Sequence, residues 1–231
     1  MFNGTETIEG TFIKESKNRF LCEVLIDNQL VECYVPSSSR IENYLKLSNK
    51  KVLLTKNIGS KSRTKYSLFA VMYYNKYVIL NLNKVNELLT YYIEQNEFVE
   101  AQIYTIEKEK TVNGYKTDLI IYEPLKSEEK IIEAKGIIGI TREVLFPKVH
   151  SERALKQLEQ ISILLRNNYI VEYYFVSLSP IVKKVIINSS HSKYYKLLNE
   201  CIENGLRLKG IGAILNKEKE VSFVKIKVEI M

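Results

Sequence analysis

Three residues, Asp118, Glu133 and Lys135, have the types and spacing that metal-assisted chemistry on a phosphodiester requires. Glu133 and Lys135 lie two positions apart in the segment Ile131–Gly136, and the alternation of a β-strand places both side chains on one face. Asp118 lies in the largely apolar segment Thr117–Ile121, where a charge must be satisfied by a partner or by a metal ion. The two segments therefore predict a cluster of two carboxylates and one ammonium group.

The stretch between these segments, Tyr122–Lys130, contains Pro124 and several charges, which is typical of a connection. Such a connection folds the second strand back antiparallel beside the first and brings Asp118 next to Glu133. The two carboxylates would then hold Mg²⁺ or Mn²⁺, which polarises a phosphodiester and activates water. Lys135 would orient or deprotonate that water, or stabilise the developing negative charge. In the alternative interpretation, Glu133 and Lys135 are an exposed pair on a half-solvated strand, with Asp118 at its edge.

Residues 1–83 show short strand patterns separated by turns, which suits an OB-like β-barrel, a common platform for single-stranded nucleic acid. Asp27-Asn28-Gln29 and Tyr74-Asn75-Lys76 predict hairpin turns, and Arg40–Leu47 predicts a short helix. The predicted strands are Gly10–Lys14, Phe20–Ile26, Leu30–Val35, Lys51–Thr55, Tyr66–Tyr74 and Tyr77–Asn81.

Residues 84–231 show a different pattern, because apolar residues after Lys84 recur at helical spacing ahead of further strands. Ser151 is predicted to cap a helix that runs to about Arg166, and a last helix is expected over Ser192–Glu203. Interleaved strands and helices predict an α/β or α+β domain with a mixed central sheet. The predicted strands are Phe98–Ile106, Thr117–Tyr122, Lys130–Ala134, Ile170–Ser177, Val182–Ile187, Leu206–Leu215 and Val221–Glu229.

The composition favours an anionic partner and a reducing compartment. The chain has 34 Lys and Arg against 27 Asp and Glu, a net charge of +7, which suits phosphate or anionic lipid, although an AT-rich genome gives lysine-rich proteins equally well. Three cysteines without metal-ligand spacing indicate neither a disulfide framework nor a zinc site. With no secretory leader pattern and no membrane-length apolar run, a cytoplasmic protein without membrane partners is expected.

A basic stretch in the first region is a candidate for contact with a phosphate backbone. Lys61, Arg63 and Lys65 belong to a segment without acidic residues, and Arg19 is followed by an aromatic ring on which a base could stack. DNA is the expected partner and RNA the alternative. The other interpretation is that the lysines are solvated while the aromatic residues fill the barrel. Arg153, beside the predicted site, would steer phosphate or pair with its neighbour Glu152.

Several segments resemble the sugar fermentation stimulation protein A family, in the same order along the chain. This resemblance implies an OB-like barrel joined to a domain of the PD-(D/E)xK nuclease type, with Asp118, Glu133 and Lys135 as its core residues. Nuclease sites of this kind often use a further acid, for which Glu109, or else Glu94, is the candidate. The matching segments are Phe12-Ile13-Lys14, Asn18-Arg19-Phe20-Leu21, the opening Asn86 of the first helix, Thr117-Asp118-Leu119-Ile120, Ile132-Glu133-Ala134-Lys135, Phe146-Pro147, Ser151-Glu152-Arg153 and Tyr194.

The chain departs from this family pattern around the core residues. Gln157 replaces a histidine, Lys148 replaces an aspartate, and the loop Tyr34–Ser39 lacks the polar groups that the family has there. Three functions are therefore expected as alternatives: a metal-dependent nuclease, a non-catalytic DNA-binding regulator of sugar metabolism genes that retains the nuclease fold, and a structural or protein-interaction domain.

Overall fold

The first part of the chain forms a small closed barrel in the computed structural model, which describes residues 6–37, 40–43, 45–57, 62–96, 104–124 and 127–230. The strands pair in the order β3-β2-β1-β4-β5, and a further pairing of β3 with β5 closes the ring. This confirms the predicted OB-like barrel. Its strands, with β6 continuing from β5, are β1 (Thr7–Glu15), β2 (Leu21–Ile26), β3 (Gln29–Tyr34), β4 (Lys51–Lys56), β5 (Tyr66–Tyr73) and β6 (Lys76–Ile79).

The two predicted hairpin turns are present. Asp27 and Asn28 have φ values of 47° and 63°, and Tyr74 and Asn75 have values of 50° and 58°, as tight two-residue hairpins require. The predicted helix over Arg40–Leu47 is wrong in extent, because among the described residues of this range a single 3-10 turn forms, over Ile41–Asn43. The buried Glu15 carboxylate accepts the backbone N–H groups of Ile41 and Glu42, which fixes the beginning of this turn.

The second part of the chain is built on a mixed sheet, which confirms the predicted fold class. Strands β11, β13 and β15 are parallel, whereas β10, β7 and β16 join the sheet antiparallel. A separate parallel sheet has the order β12-β14-β17, and β8 pairs with β9. The strands are β7 (Thr105–Lys108), β8 (Thr111–Val112), β9 (Tyr115–Lys116), β10 (Leu119–Glu123), β11 (Glu128–Ile137), β12 (Glu143–Phe146), β13 (Ile170–Ser177), β14 (Lys184–Ile187), β15 (Arg207–Leu215), β16 (Val221–Lys225) and β17 (Lys227–Ile230).

In the described part of the chain, three α-helices cover the two faces of this sheet: α1 (Val85–Asn96), α2 (Glu152–Arg166) and α3 (Ser192–Glu203). The buried residues of α1 join one apolar cluster with the barrel, and those of α2 and α3 form another cluster on the opposite face. Ser151 caps α2 as predicted, since its side chain accepts the Ala154 N–H at 3.2 Å. Among the described residues, no helix has the length and apolar character to cross a membrane.

Several strand predictions differ in their bounds. The strand expected over Thr117–Tyr122 begins at Leu119, so Asp118 lies just before it. The segment expected as one strand over Val221–Glu229 is two strands, because Ile226 turns into the core and its N–H binds the Gly210 carbonyl. Most of the strand predicted over Phe98–Ile106 lies outside the described residues.

A close approach at Gly136 packs the connection between β6 and α1 against β11. A Cβ atom at this position would lie 2.7 Å from Leu82 and 2.8 Å from Val85, closer than real side chains allow. Glycine therefore lets the connection between β6 and α1 lie directly on β11, one residue beyond Lys135. This packing fixes the beginning of α1 relative to the strand that carries Glu133.

Candidate active site

The predicted hairpin of β10 and β11 places Asp118 beside Glu133. The two strands are antiparallel, and Leu119 is opposite Ile132, so the next positions outward are Asp118 and Glu133. The Asp118 Oδ2 atom accepts the Ala134 backbone N–H at 2.8 Å, which fixes the aspartate to the second strand. The antiparallel return that the sequence predicted is confirmed.

Glu133 is buried, with 1% of its surface exposed, and both of its oxygens have donors. Lys135 Nζ donates to Oε1 at 2.5 Å, and the Tyr115 hydroxyl donates to Oε2. Burial raises the pKa of Glu133, the charge of Lys135 opposes that rise, and the charge of Asp118 adds to it. The two carboxylates are therefore close enough to repel each other electrostatically.

Lys135 lies on the same face of β11 as Glu133, as predicted from their spacing. Its Nζ atom also donates to Gln157 Oε1 of α2 at 2.6 Å, and it lies 5.6 Å from the centre of the Tyr173 ring. Three different elements therefore hold this ammonium group: its own strand, helix α2 and strand β13. These contacts restrict the pair of Glu133 and Lys135, because a side chain with several partners has few alternative rotamers.

The other oxygen of Asp118 is bound by helix α1. Asn86, in the first turn of α1, donates its Nδ2 hydrogen to Asp118 Oδ1 at 3.1 Å. The resemblance noted above gave Asn86 only as the opening of this helix, and the structure shows its contact. Asp118 therefore bridges β11 and α1, and its position depends on the packing of α1 at Gly136.

Sequence reasoning assigned no role at the site to the tyrosines that surround it. Tyr115 binds Glu133, and its own pKa is raised by burial and by the nearby carboxylates, an effect that the charge of Arg153 partly offsets. Tyr173 lies beside Lys135, and its hydroxyl is 3.0 Å from that of Tyr194. No pattern in the sequence indicated Tyr115, because it reaches Glu133 only through the short β8–β9 hairpin.

The acids proposed as additional metal ligands lie apart from this pair. The Glu109 side chain is exposed and binds Lys116, and Glu94 is exposed on α1. Within the described ranges, no group of three or more His, Cys, Asp or Glu side chains is arranged to hold a metal ion. At the candidate site, the structure therefore brings together the carboxylates of Asp118 and Glu133.

The predicted nucleic-acid-binding residues are distributed over the barrel and α2. Arg19 lies over the Phe20 ring, with its guanidinium carbon 4.7 Å from the ring centre, and Arg63 has a side chain that is 77% exposed. Lys65 is exposed beside Tyr66, whose ring is buried in the barrel core. Lys61 lies outside the described residues.

Arg153 is exposed in the first turn of α2, on the side of the candidate site. The influence of its charge on Tyr115 places it near the Glu133 cluster. Glu152 pairs with His150 at 2.5 Å, and no ion pair between Glu152 and Arg153 is present in the described part of the chain. The Arg153 guanidinium therefore contributes positive charge to the surface around the candidate site.

The fold and the site define a class of protein, in which a closed OB barrel is joined to a mixed sheet that carries a cluster of acidic residues and a lysine. Comparisons with known proteins identify the particular family. The family model described as the sugar fermentation stimulation protein RE domain matches residues 83–219. The model described as the SfsA N-terminal OB domain matches residues 15–80. The chain belongs to the sugar fermentation stimulation protein family.

Individual relatives agree with this assignment. A sugar fermentation stimulation protein homolog of Natranaerobius thermophilus is 28% identical over 167 residues, which cover 70% of this chain and 68% of the relative. A homolog of Clostridium beijerinckii is 24% identical over 216 residues, covering 91% and 92% of the two chains. The structure of Pyrococcus furiosus SfsA in complex with Ca²⁺ has a TM-score of 0.85 at 20% identity, covering 99% of this chain and 98% of that one, and so shares its fold.

Proposed function

We propose that this protein binds DNA and that Asp118, Glu133 and Lys135 hydrolyse a phosphodiester bond with the help of Mg²⁺ or Mn²⁺. RNA is the alternative substrate. The observation that supports this function is the meeting of two carboxylates and one ammonium group at the β10–β11 hairpin. The exposed cations Arg19, Arg63, Lys65 and Arg153, with a net charge of +7, favour a polyanionic ligand.

The donor atoms present suit a hard divalent cation. Mg²⁺ binds in many enzymes through one or two carboxylates, while water and substrate phosphates complete its coordination. Each Asp118 oxygen accepts one hydrogen bond in the structure and retains a further lone pair. The burial that raises the Glu133 pKa would be offset by a cation. The related Pyrococcus furiosus structure contains Ca²⁺, a cation that takes the same kind of oxygen ligand.

The protein groups divide the remaining work among them. A bound cation would polarise the phosphodiester and lower the pKa of water. Asp118, fixed by α1 and β11, and Glu133, fixed by Tyr115, would hold their oxygens in place without rearrangement. Lys135 would stabilise the negative charge that develops on the phosphate oxygens, and Gln157 keeps its ammonium group from turning away.

Cleavage of end-labelled nucleic acids tests this proposal directly. The wild type is incubated with single- and double-stranded DNA and RNA in Mg²⁺, in Mn²⁺ and in EDTA. We expect cleavage that requires the cation and is lost in Asp118→Asn. The matched control Glu107→Gln removes an exposed acid of the neighbouring strand β7 and should retain the activity. Intact substrates across the whole panel would refute the catalytic function.

A second function, DNA binding without turnover, is favoured by one observation. Glu133 and Lys135 satisfy each other and have Tyr115 and Gln157 as further partners, so the cluster is complete without a ligand. In that case Asp118→Asn would leave DNA affinity unchanged and no cleavage would be found. The joint change Arg63→Gln and Lys65→Gln would reduce the dependence of affinity on salt, because each lost phosphate contact lowers the slope by about 0.7 for single strands.

A further inference from the structure

A pocket in the barrel lies beside the beginning of the second domain and has the chemistry of a nucleobase site. The cavity measures about 510 Å³, within the range of roughly 300–1,000 Å³ that small-molecule sites occupy. Phe20 precedes β2, Tyr34 ends β3, and the Val35 N–H donates to the Phe20 carbonyl at 2.8 Å, so the two aromatic residues are neighbours. Phe20 and Tyr34 are 37% and 36% exposed, so both are accessible from the pocket that they line.

The pocket lining includes the exposed side chain of Arg63, and hydrogen bonds fix the segment that follows it. Asn57 donates to the Thr64 carbonyl at 2.9 Å and accepts the Ser67 hydroxyl at 2.5 Å. These bonds fix the segment that follows Arg63 onto β5. They also satisfy the side-chain amide of Asn57 within the protein. Arg63 itself makes one long ion pair, with Glu32 at 3.9 Å, and so stays available for a phosphate.

The pocket lining also includes the amide side chains of Asn18, Asn81 and Asn83. Asn18 and Asn81 each accept a backbone N–H through Oδ1, at 3.1 Å, from Phe20 and from Asn83. Within the residues that the structure describes, the Nδ2 groups of Asn18 and Asn81 and the side chain of Asn83 have no hydrogen-bonding partner. The hydrogen bonds to Oδ1 fix the amide groups of Asn18 and Asn81 and leave their N–H donors available. Such donors suit the carbonyl and ring-nitrogen acceptors on the edge of a base.

We infer that this pocket binds one unpaired nucleobase, stacked on Phe20 and Tyr34, with its phosphate on Arg63. An unpaired base is required because a base inside a duplex has both faces stacked and its pairing edge in use. Asn83, which lines the pocket, is three residues before Asn86, which binds Asp118. The inference rests on the proposed function and specifies its substrate as single-stranded or locally unpaired nucleic acid.

Fluorescence anisotropy of a labelled oligothymidine of about 16 nucleotides tests the inference, together with a fully paired duplex of equal length. The assay is run in EDTA, so binding is measured without cleavage. We expect Phe20→Ala and Tyr34→Ala each to weaken single-strand binding about tenfold, as loss of base stacking does, with less than a twofold change for the duplex. The matched control Tyr74→Ala removes another exposed ring of the barrel and should change neither affinity.

The outcomes separate this inference from the proposed function. Equal losses on single strand and duplex, or no loss on the single strand, would overturn the nucleobase pocket while DNA binding stands. A wild type that binds neither substrate would refute the proposed function itself. Thermal unfolding of each variant checks the fold, and Tyr34→Phe, which retains the ring, should restore single-strand affinity if stacking carries it.

Discussion

Two buried glutamate–lysine pairs lie on opposite faces of the central sheet, and their surroundings differ. Glu133 and Lys135 are on the face covered by α2, beside Tyr173. Glu172 is 3% exposed, pairs with Lys209 at 2.8 Å and lies on the face covered by α1. Both pairs are completed by a tyrosine, since Tyr115 binds Glu133, and Tyr174 binds both Glu172 and Lys209.

The difference lies in the second carboxylate. Asp118 is close enough to Glu133 to raise its pKa, whereas the hydrogen-bonding partners of Glu172 are one lysine and one tyrosine. A buried ion pair by itself is a common structural feature and gives weak evidence of function. Under the proposed function, a bound cation would relieve the electrostatic repulsion between Asp118 and Glu133. Comparison of the two pairs therefore offers an internal control for the proposed site.

The largest difference in cleavage rate between the two pairs is expected when the glutamate of one pair or the other is neutralised. Glu133→Gln should lower metal-dependent cleavage about 1,000-fold, because it removes a charged cation ligand worth several kcal/mol. Glu172→Gln removes an equally buried charge on the other face and should leave the rate within about threefold. Initial rates on labelled DNA at saturating Mg²⁺ measure both. A similar loss in the two variants would mean that the first pair is structural like the second.

Replacing the lysine should lower the unfolding free energy for both pairs, whereas it should lower cleavage only for the pair that contains Lys135. Lys135→Met leaves Glu133 buried without its cation, which typically costs about 3 kcal/mol or more of unfolding free energy. Lys209→Met should cost less, since the Lys209 side chain is 34% exposed against 15% for Lys135. Urea unfolding gives these values. Cleavage should fall about 100-fold in Lys135→Met alone, and retained cleavage there would exclude a catalytic role for this lysine.

Binding of the cation should stabilise the protein only through the first pair. At a Mg²⁺ concentration 100 times its dissociation constant, the wild type should gain about 2.7 kcal/mol of unfolding free energy. The gain should disappear in Glu133→Gln and persist in Glu172→Gln. Thermal unfolding with and without Mg²⁺ measures it, with Na⁺ at equal ionic strength as the control. A gain that survives in Glu133→Gln would place the cation elsewhere.

The smallest effect is expected from the groups that position each lysine. Gln157→Leu removes one hydrogen bond to a charged group, so cleavage should fall about tenfold, in line with about 1.5 kcal/mol for such a bond. Tyr174→Phe removes the corresponding bond to Lys209 and should leave cleavage unchanged. Gln157→His, which supplies another acceptor, should recover part of the rate. No recovery, with a normal fold, would argue against positioning through this bond.

Local patterns in the sequence predicted most of the elements. The turn residues at Asn28 and Asn75, the Ser151 cap and the apolar spacing of α1 act over a few residues, so they could be recognised without knowledge of the fold. The spacing of Glu133 and Lys135 likewise determined that they share a face. Where a contact distant in sequence decides the conformation, as at the Glu15-capped turn over Ile41–Asn43, the local prediction was wrong.

The sequence by itself determined the barrel, the mixed sheet and the three residues proposed for chemistry. Only the tertiary structure decided what surrounds them, namely Tyr115, Asn86 and Gln157 from three separate elements. It also gave Glu172 and Lys209, 37 positions apart in the numbering, the same kind of contact as Glu133 and Lys135. The physical reason is that side-chain spacing along a strand is local, whereas burial and charge neighbours depend on how strands and helices pack.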